Sequence, residues 1–249
     1  MRRLLLVVVC ALFVGTAFAQ DEAGKIKNEA NAALRAKNYQ EAFPKLEQYL
    51  KLVDYKDDAY LYNTGVVANK IKNYAAAETY FDKSIQAKYK LSDSYMGKAA
   101  AQQKQNKTAD MLATLEAGIK ANPGKCAKME QMYANYYLKE GQKFQKANNL
   151  TKAAENYMKI TQMTNKNWKA NGFLCLGNMY FNTGASIYDK ATPFANTEKE
   201  KFEAEKAKAL ANYKKAQEYL MQALNQSPNN EEVQTTMKSV KDAIATLTK

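Results

Sequence analysis

The chain has 249 residues, with 37 Lys and Arg against 25 Asp and Glu and no His. Without His there is no Ser/His/Asp triad, no Cys/His dyad and no His-ligated metal site. Thirty-six Ala against 5 Val and 7 Ile beyond residue 19, with 10 Gly and 4 Pro in the whole chain, argue against a β-rich fold. The sequence opens on Met1-Arg2-Arg3, an apolar run from Leu4 to Val14, and Gly15-Thr16-Ala17-Phe18-Ala19. These are the charged, apolar and small-residue zones of a secretory signal, with Ala17 and Ala19 forming the cleavage site. An apolar run of 11 residues falls short of the roughly 20 that a bilayer core requires. Residues 1–19 therefore read as a signal peptide, and the mature chain as an exported protein starting at Gln20. Cleavage lowers the net charge from +12 to +10 and leaves Arg35 as the one Arg among 34 Lys. Such a Lys-dominated balance fits solvated helix faces and argues against nucleic-acid binding, which leans on the guanidinium fork. A weak, salt-sensitive attraction to an anionic surface remains open.

Beyond the signal, one pattern recurs: Asn, then an aromatic or Leu, then Ala three residues on. It stands at Asn38-Tyr39-Gln40-Glu41-Ala42, at Asn73-Tyr74-Ala75-Ala76-Ala77 and at Asn149-Leu150-Thr151-Lys152-Ala153. Twelve residues before each Ala is another small residue, Ala30, Gly65 or Gly141, and the same spacing pairs Ala99 with Met111. Large residues follow at Leu46, Phe81, Leu115, Tyr157 and Leu220, and Pro at Pro123 and Pro228. Leu176-Gly177-Asn178-Met179-Tyr180, with Tyr213, Ala216, Leu220 and Ala223, is the clearest unit. This pattern resembles the tetratricopeptide repeat (TPR), a helix–turn–helix unit of 34 residues. The resemblance covers residues 23–249 and implies an all-α, right-handed superhelical solenoid of about five hairpins plus a C-terminal capping helix. A physical reason stands beside it. Two helices approach closely where small side chains face each other, and each hairpin buries its apolar face only by stacking on its neighbours.

Successive marker residues Ala42, Ala77, Met111, Ala153 and Ala216 lie 35, 34, 42 and 63 apart, so the array is regular and then irregular. Hairpins are expected at about 23–56, 57–90, 91–124, 125–166 and 167–230, with a capping helix over 231–247. The surplus in the fourth extends its first helix back to about Cys126. In the fifth, the first helix runs on through Ile187 and Tyr188, a loop follows around Ala191 to Asn196, and Thr197-Glu198-Lys199-Glu200 reads as a capping box opening a long second helix. This register separates Cys126 from Cys175 by about 20 Å along neighbouring helices, too far for a disulfide.

In the family the first helices line the groove that holds a partner. Carried over, that face includes Lys27, Asn31, Leu34 and Arg35; Tyr62, Asn63, Val66, Asn69 and Lys70; Met96; Asn135, Lys139, Gln142 and Gln145; and Asn171, Asn178 and Phe181. Amides supply paired donors and acceptors for an extended backbone, and Lys a charge for carboxylates. Lys27, Asn31 and Asn63 match the carboxylate clamp of chaperone-binding TPR domains, whereas Asp93 and Gly97 stand where that clamp has two cations. A milder peptide grip through Asn31 and Asn63 is expected instead. No Gly-rich phosphate loop, C-x-x-C pair or H-E-x-x-H helix occurs, so no catalysis, cofactor or metal is expected. The resemblance points to a protein- or peptide-binding scaffold or assembly factor, like exported TPR proteins of Gram-negative bacteria, in the periplasm, at the outer membrane or outside the cell. Two other readings stay open: a self-associating structural subunit, and a binder of anionic envelope polymers through a Lys-rich surface.

Overall fold

The computed structural model describes residues 21–248; the signal segment read at residues 1–19 lies outside the described residues. Among these there is no strand. Helix α1 covers residues 21–35, followed by α2 (Tyr39–Leu52), α3 (Asp58–Lys70), α4 (Tyr74–Gln86), α5 (Leu91–Lys104) and α6 (Thr108–Ala121). After a 3₁₀ turn at Pro123–Lys125 come α7 (Ala127–Lys146), α8 (Leu150–Thr161), α9 (Lys166–Ala191), a second 3₁₀ turn at Thr192–Phe194, α10 (Lys199–Gln226) and α11 (Glu231–Leu247). The chain forms two compact units, one ending at Met129 and the other beginning at Glu130. Hairpins α1/α2, α3/α4 and α5/α6 build the first. The second contains α7 from Glu130 onward, α8, the pair α9/α10, and α11.

The recurring Asn both ends one helix and starts the next. Asn38 and Asn73 donate their backbone N–H to the carbonyls of Ala33 and Ala68, five residues back, closing α1 and α3. Their side chains then accept from the N–H of Glu41 and Ala76, capping α2 and α4. Asn149 repeats both roles between α7 and α8. The residue before each of these Asn lies in the left-handed region, with φ of 57° at Lys37, 63° at Lys72 and 56° at Asn148, and Asn106 shares it at 58° ahead of Lys107, which makes no side-chain cap bond. Asn adopts that region at a lower cost than Lys. Lys37→Gly and Lys72→Gly should each relieve about 1–2 kcal/mol of steric cost against about 0.4–1 kcal/mol of added unfolded-chain freedom. Urea unfolding should therefore show a small gain for each; a loss would mean that the lysine side chain holds its turn together.

Small residues do mark the close contacts: the atoms nearest to them belong to the large residues, and at Gly177 the carbonyl of the marker Ala216 also lies 3.5 Å from where a Cβ would stand. A Cβ on Gly65 would lie 3.1 Å from the Phe81 ring, and one on Gly177 2.7 Å from Leu220. Gly141 meets Tyr157 in the same way, and Phe81 also abuts Gly97 of the following hairpin. Phe81 thus joins α3, α4 and α5, while Ala77, Ala153 and Ala216 are completely buried. In the second unit, Val233, Met237, Val240 and Leu247 of α11 join Leu220 and Ala223 in one core.

The irregular stretches differ in detail from expectation. Helix α7 starts at Ala127, next to the expected Cys126, and α9 reaches Ala191. No capping box opens α10: its cap is Glu198, without a side-chain bond. The 3₁₀ turn carries the chain so that Glu198 donates its N–H to Phe194 O at 2.8 Å, one residue beyond Thr197. Among the described residues Cys126 and Cys175 are not joined in a disulfide, and the Cys126 thiol donates to Pro123 O. The Cys175 thiol donates to Asn171 Oδ1, and burial pushes it up to about 12, leaving it an unreactive thiol.

Candidate binding surface

Hairpin stacking aligns the first helices, so their outward faces decide what each unit can hold. In the first unit most of the polar residues on that face are engaged internally. Lys27 Nζ donates to Tyr49 Oη at 3.1 Å and to Asp57 Oδ2 at 3.0 Å, and lies 4.5 Å from the Tyr60 ring centre. The hydrogen bond to Tyr49 and the Asp57 charge, opposed by burial, hold its ammonium above the ordinary lysine range. Asp57 is drawn the other way: burial works to raise its carboxyl, but bonds from Tyr49, Lys27 and the Tyr60 N–H more than offset this and lower it. Asn31 accepts from Tyr60 Oη at 2.7 Å. The clamp-like pair Lys27 and Asn31 is therefore a strut between α1, α2 and α3.

Others on this face are similarly used. Lys70 stacks over Tyr39. Tyr62 packs edge-on against Phe81 under the Lys90 ammonium, and burial together with Asp93 raises its phenol. Asn69 donates to Gly97 O at 3.4 Å, while its own Oδ1 is buried without a partner. Val66 and Leu34 pack against the core. Asn63 and exposed Arg35 have no side-chain hydrogen bond or ion pair with any described residue. Gly97 cannot be read as a lost clamp cation, because the Phe81 ring occupies the space where a Cβ would sit.

The second unit is different. Asn135, Lys139 and Gln142 are exposed and pair with no described residue. Their spacing of four and three places them on one face of α7, and Gln131 and Lys146, also exposed, continue the line. The sequence reading missed these last two, although the same spacing would have found them. Gln142, Gln145 and Lys146 line an open recess of about 530 Å³, in which Gln145 is held by the Tyr157 hydroxyl at 2.8 Å. On α9, Asn178 and Asn182 are unpaired among the described residues. Asn171 accepts from Cys175, and Phe181 packs on Tyr213 at 5.6 Å. The α7 line holds three amides and two cations and no carboxylate.

A TPR repeats protein from Bacteroides fragilis, of known crystal structure, is 47% identical to this chain, covers 88% of it and 98% of its own length, and superimposes with a TM-score of 0.83. The chain is a TPR protein. The P58(IPK) TPR domain (11% identity, 91% of this chain and 66% of its own, TM-score 0.43) and the TPR2AB domain of yeast Sti1 in its pHSP90 complex (14%, 92% and 100%, 0.36) are more distant matches. No protein-family model and no curated protein matches the sequence. TPR arrays are protein-interaction scaffolds, so the face of interest is the one whose donors and charges are not already consumed by the fold. In this TPR chain that is the α7 line, together with Asn178 and Asn182 of α9.

Proposed function

We propose that this TPR protein is exported to the envelope of a Gram-negative bacterium and holds a protein or peptide partner there without catalysis, gripping it through α7 and α9. The observation that carries the reading is the exposed, unpaired, carboxylate-free line Asn135, Lys139 and Gln142. Unpaired amides cost nothing in solvent but satisfy both edges of an extended backbone when one binds, and Lys139 and Lys146 favour carboxylate-bearing segments. The charged, apolar and small-residue zones of residues 1–19 support export. Capture of envelope proteins by the chain from Gln20 onward tests the proposal. The triple variant Asn135→Ala, Lys139→Ala, Gln142→Ala should lose the captured partner at least tenfold, with its melting temperature unchanged because none of the three touches the core. Undiminished capture by the triple variant would move the site off α7.

A further inference from the structure

The first unit carries a second feature that the groove does not use: the edge formed by its three first-to-second-helix turns is a row of cations. Arg35 and Lys37 flank the α1–α2 turn, Lys70 and Lys72 the α3–α4 turn, and Lys104 and Lys107 the α5–α6 turn, all six exposed. The turns are neighbours. Lys70, at the end of α3, stacks over Tyr39, the first residue of α2. Gln105, after α5, donates to the carbonyl of Tyr74, the first residue of α4. Packed helices lie about 8–10 Å apart, so the pairs repeat at that order of spacing along one edge. The carboxylates there are Glu41, tied to the Asn38 amide, Glu78, bound by Gln102, Gln105 and Lys107, and Asp110. At the other ends of the same helices the α2–α3 turn sets Lys51 and Lys56 against Asp54, Asp57 and Asp58, with Lys56 paired to Asp54 at 3.0 Å, while the α4–α5 turn carries exposed Lys88 and Lys90, the latter over the Tyr62 ring, with Asp93 in the first turn of α5.

Helix dipoles favour cations at helix C-termini, which accounts for Arg35, Lys70 and Lys104. It does not account for Lys37 and Lys72. These stand past the helices at φ 57° and 63°, in a conformation costly for Lys, where the corresponding turns use Asn106 and Asn148. Lys88 and Lys90 share that conformation at the opposite edge, at φ 56° and 41°, so what singles out this edge is its six exposed cations against three carboxylates, two of them already bound.

We propose that this edge docks the protein on an anionic lipid surface through the headgroup phosphates. Separate ammonium point charges in a row suit a charged plane. Five of the six are Lys and no stacking aromatic stands free beside them, so the row lacks the forks and platforms of nucleic-acid sites. The large hydrophobics exposed among the described residues are Met158 and Met221, both outside the first unit, and no described helix is long and apolar enough to cross a membrane. Contact is therefore peripheral and electrostatic.

Co-sedimentation of the chain from Gln20 to Lys249 with phosphatidylglycerol vesicles tests this. Binding is expected at low salt, not to phosphatidylcholine vesicles, and with release by about 0.3 M NaCl. The variant Lys37→Asn, Lys72→Asn, Lys104→Gln should bind about a hundredfold more weakly, at about fivefold per charge removed. It should fold at least as well as the parent, since Asn suits both turns. A control removing as many charges from the opposite edge, Lys51→Gln, Lys56→Gln, Lys88→Asn, should keep most of the binding. Equal loss in the two variants would overturn the assignment and leave only net charge. So would displacement by inorganic phosphate at matched ionic strength, which would mark a small-anion site, or equally tight binding to a DNA duplex.

Discussion

Phe81→Ala should be among the most damaging single substitutions in the first unit, costing about 3–5 kcal/mol in urea unfolding followed by far-UV circular dichroism. The ring is 2% exposed, lies 3.1 Å from where a Cβ on Gly65 would stand and abuts Gly97. Deleting it empties the junction of three helices, and backbone cannot collapse into a gap that α3 and α5 both frame. The reciprocal change is as informative. Gly97→Ala would gain about 1 kcal/mol of helix propensity at an ordinary site, yet here the added methyl meets the ring, and a net loss of about 1–3 kcal/mol is expected. Combining Gly97→Ala with Phe81→Leu should recover part of that loss, since the smaller side chain vacates the space the methyl needs. Strict additivity of the two changes would show that they do not share one contact and would sink this account of the junction.

The repeat was legible because its determinants are local. Asn38, Asn73 and Asn149 close one helix and cap the next within a few residues, so turn chemistry and hairpin spacing appear in the sequence together. The lengthened α7 followed from a spacing of 42 where 34 or 35 was the rule. What was not legible is which polar side chains the fold consumes. Lys27 bonds to residues 22 and 30 positions away, and Asn31 to one 29 away. Those distances close only when three helices have packed, so Lys27 and Asn31 looked like free groove residues and are not. Replacing Asn31 and Asn63 together is accordingly a poor test of binding, since it also strips the acceptor from the Tyr60 hydroxyl. Gly97 misled in the opposite direction, because a residue absent from a charge pattern proved to be required by packing. The α10 cap slipped because a 3₁₀ turn, which composition does not reveal, advanced the helix start by one residue.

Acid should weaken the first unit through Asp57. Its carboxylate caps α3 by accepting from the Tyr60 N–H and also accepts from Tyr49 Oη at 2.7 Å and Lys27 Nζ at 3.0 Å. Its side chain is 22% exposed and that of Lys27 37%, so solvent screens part of the charge and the hydrogen bonds carry more weight than the Coulomb attraction. A carboxyl whose native pKa lies below the ordinary 3.8 binds protons less readily folded than unfolded. Its stabilisation is complete above 3.8 and drains away as pH falls through the lower native value. Glu78, where burial is likewise outweighed by bonds from Lys107, Gln102 and Gln105, adds a loss in the same direction. Lys27, raised above 10.5, contributes fully below that pH, so no change from this pair is expected between about pH 5 and 9. Asp57→Ala should cost about 2–4 kcal/mol at pH 7, from the lost cap and the charge-assisted bonds. Asp57→Asn retains the cap acceptor and should cost less. For both variants the deficit against the parent should shrink when urea unfolding is repeated below pH 3, where the parent protonates the same group. A deficit constant from pH 7 to pH 2.5 would mean that the carboxylate acts by shape alone and would sink the charge-assisted account of this strut.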